Sequence, residues 1–305
     1  MTATTGAPKA GRNTGRDARR SALHAFLIAM CLLWLMPLFW AVYTSLRPRA
    51  ETDRLGYLSF PETLNLDNYV TAWNQSEMAR YFLNTLVIVV PAVLLVLFLA
   101  SMMAFTVSRY SWRFNLWFLL LFTAANLLPP QVIITPLYRI FLKVWLPEDV
   151  LVPGFPSDTG LLYGQYLGIV LIHVAFQLGF CTFVLSNYMK TIPRELNEAA
   201  VVDGASVWKT YRSVVMPLTR PALAALATLQ VTWVYNDFFW ALVLMAGKGS
   251  KMPITSALNN LRGQFFTDYN LLGAGAVLVA IPTLVVFFAL QKQFISGLTL
   301  GSTKG

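Results

Sequence analysis

Long apolar runs alternate with shorter polar stretches along this chain. Six runs stand out, at about 22–46, 81–107, 114–142, 166–188, 221–245 and 271–290. A helix rises 1.5 Å per residue, so each run can cross a hydrocarbon core about 30 Å thick. The first run follows Arg16, Arg19 and Arg20. It is too long for the apolar region of a signal peptide and lacks a small-residue cleavage site, so it reads as a retained span. Asn126, Pro129, Pro130, Gln131, Thr135 and Pro136 interrupt the third run. A kinked helix that lines a pathway and a kinked helix that merely packs both remain open there. The predicted fold is therefore all-α: a polytopic membrane protein with six transmembrane helices. A disordered tail at 1–20 precedes a membrane domain at 21–296, and a short tail at 297–305 follows it.

The polar stretch 190–220 has a helical period of its own. Leu196, Ala199, Ala200 and Asp203 recur at spacings of three and four. Gly204 stands where a helix would end in a left-handed residue. A second amphipathic run places Val207, Tyr211, Val214 and Val215 opposite Lys209 and Arg212. Pro217 is expected to stop it, and Pro221 to open the next helix at its first position. The pattern predicts a helix, a tight turn and a helix projecting between the fourth and fifth spans.

Composition strengthens the membrane reading. The chain is 56% hydrophobic and 12% charged, against about 25% charged for a soluble domain. A net charge of +9 would suit a nucleic-acid partner, but loop charge explains it more simply. Of 23 Lys and Arg, fourteen fall in the amino terminus, the 108–113 turn, the 190–220 stretch and the carboxyl tail. That bias places both termini and the 190–220 stretch in the cytoplasm. The loops at 47–80, 143–165 and 247–269 face outward on this reading. Cys31 and Cys181 lie inside apolar runs and imply no disulfide framework; both are expected to be buried and inert.

Candidate chemistry is sparse. There is no Gly-x-x-x-x-Gly-Lys-[Ser/Thr] phosphate cradle, no paired catalytic carboxylates and no metal-ligand spacing, and two histidines build no nucleophile–base pair. No enzyme activity, cofactor or metal is expected. His173 and Gln177 share a helix face, as a proton relay or, the preferred reading, as an interhelical hydrogen-bonding pair. Trp233, Asn236 and Asp237 are the candidate pathway residues. Aromatic rings beside hydrogen-bonding groups suit a sugar, and Tyr235, Phe238, Phe239 and Trp240 add further rings. The preferred alternative is structural, with Asp237 bonding a neighbouring helix and the aromatics forming an interfacial belt.

The 190–220 stretch resembles the EAA loop of binding-protein-dependent ABC importer permeases. Glu198-Ala199-Ala200, Gly204 and Val214-Val215-Met216-Pro217 keep that loop's spacing, with Val214 for Ile and Met216 for Leu. Leu66-Asp67-Asn68-Tyr69 and Trp233-Val234-Tyr235-Asn236-Asp237-Phe238 are similar to segments of the carbohydrate, maltose-type branch, with Tyr235 where Trp is usual. The ending from Phe294 to Gly305 is similar to the tail of the same branch. The resemblance implies that Glu198, Ala199, Ala200, Asp203, Gly204 and Pro217 couple to a cytoplasmic ATPase. It also implies that Gly297, Leu298, Thr299 and Gly301 reach between two ATPase subunits. The implied partners are a second, homologous permease subunit, two ATPase subunits, an extracytoplasmic solute-binding protein and membrane lipid. The implied solute is a sugar or related compound, and the implied location is a bacterial inner membrane. The rival is a secondary carrier or channel, which would show internal repeats, half-helices and several buried titratable groups. No repeat is visible, and Asp237 is one clear intramembrane carboxylate.

Overall fold

The computed structural model describes residues 14–125, 129–145, 160–247, 249–262 and 267–299. Its described residues are helical, apart from turns and two isolated bridges. Helix α1 spans Thr14–Ser45, so helical backbone begins within the expected tail. Two short helices follow, α2 at Arg49–Leu55 and α3 at Asp67–Gln75. Helix α4, Met78–Arg109, is the second long one. Among the described residues, five helical stretches are long and apolar enough to cross a membrane: Arg19–Ser45, Met78–Arg109, Tyr166–Lys190, Val207–Tyr235 and Tyr269–Gln291.

The third apolar run departs from the expectation of one kinked span. It forms two shorter helices, α5 at Asn115–Ala125 and α6 at Pro130–Phe141. Pro130 lacks an N–H and crowds the residue before it, and Pro129 adopts φ −59°, ψ 130°. A helix can start at Pro130 but cannot run through the pair. Asn126 and the acidic loop at 146–159 lie outside the described residues.

Helix α7, Tyr166–Lys190, packs along α4 more extensively than any other described pair of elements. The reason is legible in α4. Ile88, Ala92, Val96, Ala100 and Ala104 repeat every fourth position and are all buried. Small residues on that ridge let the two backbones approach, which is how helices gain van der Waals contact in lipid. Ile169, Cys181, Leu185 and Met189 of α7 are buried in the same core. Cys31, by contrast, lies exposed on α1, a helix left largely uncovered by the other described residues.

After α7 come α8 at Glu195–Val202 and α9 at Val207–Thr210, a π turn at Tyr211–Val215, and α10 at Met216–Tyr235. Contrary to the expectation from sequence, Pro217 does not stop a helix, and Pro221 lies inside α10 instead of opening it. Pro217 sits in the first turn of α10, and the helix passes through it by widening. The Met216 N–H reaches back to the Tyr211 carbonyl, a π-type bond that leaves room for the proline ring. The fifth run is also interrupted, between Tyr235 and Phe239, before α11 at Phe239–Leu244. Helix α12, Ile254–Ala257, lies in the loop before α13, Tyr269–Thr299. Helix α13 packs against both α10 and α1.

One end of the bundle is held by buried polar contacts. Arg47 is 0% exposed and donates through Nε to Glu51 at 2.9 Å and through a terminal nitrogen to Ser59 Oγ at 2.7 Å. Asn270, at the start of α13, donates to the Thr44 carbonyl at 2.9 Å and to Thr52 Oγ1 at 2.8 Å. Asn68 of α3 donates to the Ser45 and Arg47 carbonyls. These bonds satisfy the carbonyls freed where α1 ends. Burial raises the Glu51 carboxyl, but hydrogen bonds from Thr63 Oγ1, Arg47 and the Thr63 and Glu62 amides outweigh it and hold the group at about 2.

Candidate functional site

Two places gather the residues singled out in the sequence. The first is the stretch between α7 and α10. Arg109, at the end of α4, donates to the Met189 carbonyl at 2.9 Å and the Ile192 carbonyl at 3.1 Å, fixing where the stretch leaves α7. Glu195 and Glu198 lie in the first turn of α8, where acids suit the helix dipole. Gly204 has φ 74°, the left-handed conformation expected of it. Its N–H donates to the Val201 carbonyl at 3.0 Å, and the Ala205 N–H donates to the Ala200 carbonyl at 2.9 Å. That pair of bonds is a Schellman cap, and it satisfies the last carbonyls of α8. Ser206 Oγ then accepts the Lys209 N–H at 3.2 Å and starts α9.

The faces of this stretch differ from the sequence pattern. Ala200 is buried, whereas Leu196, Glu198, Ala199 and Asp203 are exposed. Tyr211 and Val215 are buried, whereas Val207 is exposed. The exposed side sets apolar side chains among the acids Glu198 and Asp203: Val202 is 87% exposed, Val201 66% and Trp208 51%. A helix pair with this much uncovered apolar surface is built to meet another surface.

The second place lies within the helices. A cavity of about 400 Å³ is lined by Pro130, His173, Phe176, Gln177, Thr232, Trp233, Asn236, Asp237 and Trp240. The structure thus joins the His173–Gln177 pair to all three pathway candidates. Asn236 closes α10 by donating to the Thr232 carbonyl at 2.8 Å. The Asp237 carboxylate accepts the N–H groups of Trp240 at 3.2 Å and Ala241 at 3.3 Å, so it starts α11. These two side chains explain the break in the fifth run. Asp237 is half-buried beside His173, with Nε2 and Oδ2 3.4 Å apart. Gln230 Nε2 donates to Gln177 Oε1 at 3.4 Å and ties the same two helices together. Trp233 and Asn236 are exposed, and the rings of Phe180 and Trp233 lie 5.3 Å apart. The open wall therefore offers an aromatic face and amides, and the carboxylate stands behind it. Phe176 was missed from sequence as a member of this wall, although it shares a helix face with His173; Pro130 and Trp240 had been named, and the structure brings them to the same cavity.

Gly297, Leu298 and Thr299 continue α13, and Gly301 lies outside the described residues.

A bundle of membrane-length helices, with a capped helix pair projecting between two of them, defines a multi-pass membrane protein of the transport-permease class. Residues 93–299 match the family described as binding-protein-dependent transport system inner membrane component, and the chain belongs to that family. It is 32% identical over 301 residues to the osmoprotective compounds uptake permease protein GgtD of Synechocystis, with 96% of each chain covered. It is 31% identical over 245 residues to the alpha-glucoside transport system permease protein AglG of Rhizobium meliloti, covering 80% of this chain and 62% of that one. The fold is also similar to a chain of a bacterial ABC transporter involved in the import of the acidic polysaccharide alginate. That match has a TM-score of 0.74 at 21% identity and covers 94% of this chain and 100% of the other.

Proposed function

We propose that this chain is the transmembrane permease subunit of an ABC importer. With a second, homologous permease it forms the pathway for a sugar or related solute, which an extracytoplasmic binding protein delivers. Two separate ATPase subunits drive the cycle. The observation that carries this reading is the exposed apolar surface of the capped helix pair α8–α9. Leu196, Val201, Val202, Val207 and Trp208 have no covering element among the described residues, and they sit on the stretch that resembles a coupling loop. Glu198, Ala199, Ala200, Asp203 and Gly204 shape that surface, and Pro217 sets how it joins α10. The tail from Gly297 to Gly301 adds a second ATPase contact.

Six passages place both termini on the cytoplasmic side, in agreement with the basic loops. The sixth passage is completed by α5 and α6 together. ATP binding closes the ATPase pair, and the docked helices carry that motion into the bundle as a two-state change. The cavity beside Trp233 and Asn236 is the part of the pathway this chain supplies. Hydroxyls would meet the amides of Asn236 and Gln177, and C–H faces would meet the rings. The relative named for alpha-glucoside transport favours a sugar as the solute.

Co-expression with an ATPase and a second permease of the same family from the same genome tests the reading. All three should purify as one complex, and Gly204→Val should reduce the ATPase recovered while leaving the chain inserted. A chain that purifies without any ATPase would overturn it.

A further inference from the structure

We propose that Tyr211 is the positioning residue through which displacement of the coupling stretch reaches the transmembrane helices. This inference rests on the importer reading above and goes beyond it to a route of transmission.

The backbone supplies the first part of the argument. From Val207 to Tyr235 the chain is helical without a loop, so α9 and α10 form one rod. The π turn at Tyr211–Val215 is the one departure from α geometry along it. A π turn has wider, i-to-i+5 hydrogen bonding, and such turns are frequent at functional sites. Movement of α9 therefore meets a compliant joint before it meets α10.

The side chains supply the second part. Tyr211 opens the π turn, is buried, and has its hydroxyl 2.7 Å from Ser101 Oγ of α4. Ser101 donates its own proton to the Phe98 carbonyl at 2.8 Å. Tyr211 is accordingly the donor and Ser101 the acceptor between them. The Tyr211 ring packs edge-on to Phe105 of α4, with centroids 5.4 Å apart, and tilted against Trp208, at 5.2 Å. Trp208 belongs to the exposed docking surface. A continuous line of contact thus runs from that surface through Tyr211 into α4, and along the rod into α10.

The third part is space. A cavity of about 290 Å³ adjoins the joint, lined by Met102, Phe105, Thr106, Val207, Trp208 and Tyr211. Packed cores resist continuous deformation, so a void beside an aromatic ring gives it a second position to take. The Tyr211–Ser101 bond selects the position seen here.

The test uses the whole importer in lipid nanodiscs: both permeases, the ATPase pair and the binding protein. Thr232→Cys is the reporter, in a background with Cys31 and Cys181 changed to Ala, because Thr232 lines the transmembrane cavity. Its reaction rate with a methanethiosulfonate reagent is compared with and without ATP and orthovanadate. Trapping should change that rate in the parent. Tyr211→Phe and Ser101→Ala each delete one hydroxyl and keep the packing. Each should shrink the change roughly five-fold, the weight of one such bond. The double variant should be no worse than either single one, and vanadate-trapped nucleotide and melting temperature should be unaltered. An undiminished change in both variants overturns the proposal. So does a loss that follows lower melting or lower nucleotide trapping, which would make the bond merely structural. A parent complex that traps no nucleotide defeats the importer reading itself, and this inference with it.

Discussion

His173 Nε2 and Asp237 Oδ2 stand 3.4 Å apart, joining α7 to the break between α10 and α11. The same carboxylate accepts two backbone N–H groups of α11. A half-buried carboxylate that accepts two backbone N–H groups holds the break together. Asp237→Asn keeps the shape and weakens the acceptor. It should cost about 1–3 kcal/mol, read as a lower melting temperature of the purified complex, with solute preference unchanged. Normal melting with lost uptake would show instead that the carboxylate acts on the solute.

Asn236 presents the opposite case. It is exposed to the cavity, and its side-chain amide donates to a carbonyl of its own helix. Asn236→Ala should leave melting nearly unchanged and raise the KM for uptake. An unchanged KM would remove Asn236 from the pathway wall.

Gly204 separates backbone strain from crowding. A Cβ there would meet nothing within 4 Å, so the cost of substitution lies in its φ of 74°. Left-handed backbone costs an ordinary residue about 1–2 kcal/mol, least for Asn and most for β-branched side chains. ATPase recovery should fall in the order Gly204, Asn, Ala, Val. Equal recovery for Gly204→Asn and Gly204→Val would contradict the strain argument.

Glu51 makes the α1–α2 end of the bundle acid-sensitive. Its carboxyl is held at about 2, below the ordinary 4.5, so the folded form binds fewer protons than the unfolded one. Its contribution is complete above pH 4.5 and is lost as the pH falls from 4.5 towards 2. Amide protection factors across residues 47–63, taken relative to the intrinsic exchange rate at each pH, should fall in that window, and Glu51→Gln should abolish the dependence. A flat profile in the unaltered protein would exclude it.

Five of the long helices were legible in the apolar runs because length and hydropathy alone decide whether a helix can span lipid. The turn at Gly204 was legible because a left-handed C′ residue has few alternatives to glycine. Interruptions were harder to see. Pro217 reads as a stop, but the π turn absorbs it by widening, and which bonds widen depends on the contact of Tyr211 with α4. The split at Pro129 and Pro130 was visible as a kink and not as a division into two helices. The break at Asn236 and Asp237 was read as chemistry, whereas both side chains first end and start helices. The pairing of His173 with Asp237 spans 64 positions and could come only from α7 packing beside α10.

The most direct measurement is ATP-driven uptake into proteoliposomes. Binding protein loaded with its solute is added outside, and ATP is enclosed within. The account predicts uptake when both permeases and the ATPase are present, none when any one of them is omitted, and none from this chain alone. Uptake by the chain alone, without ATP, would contradict it.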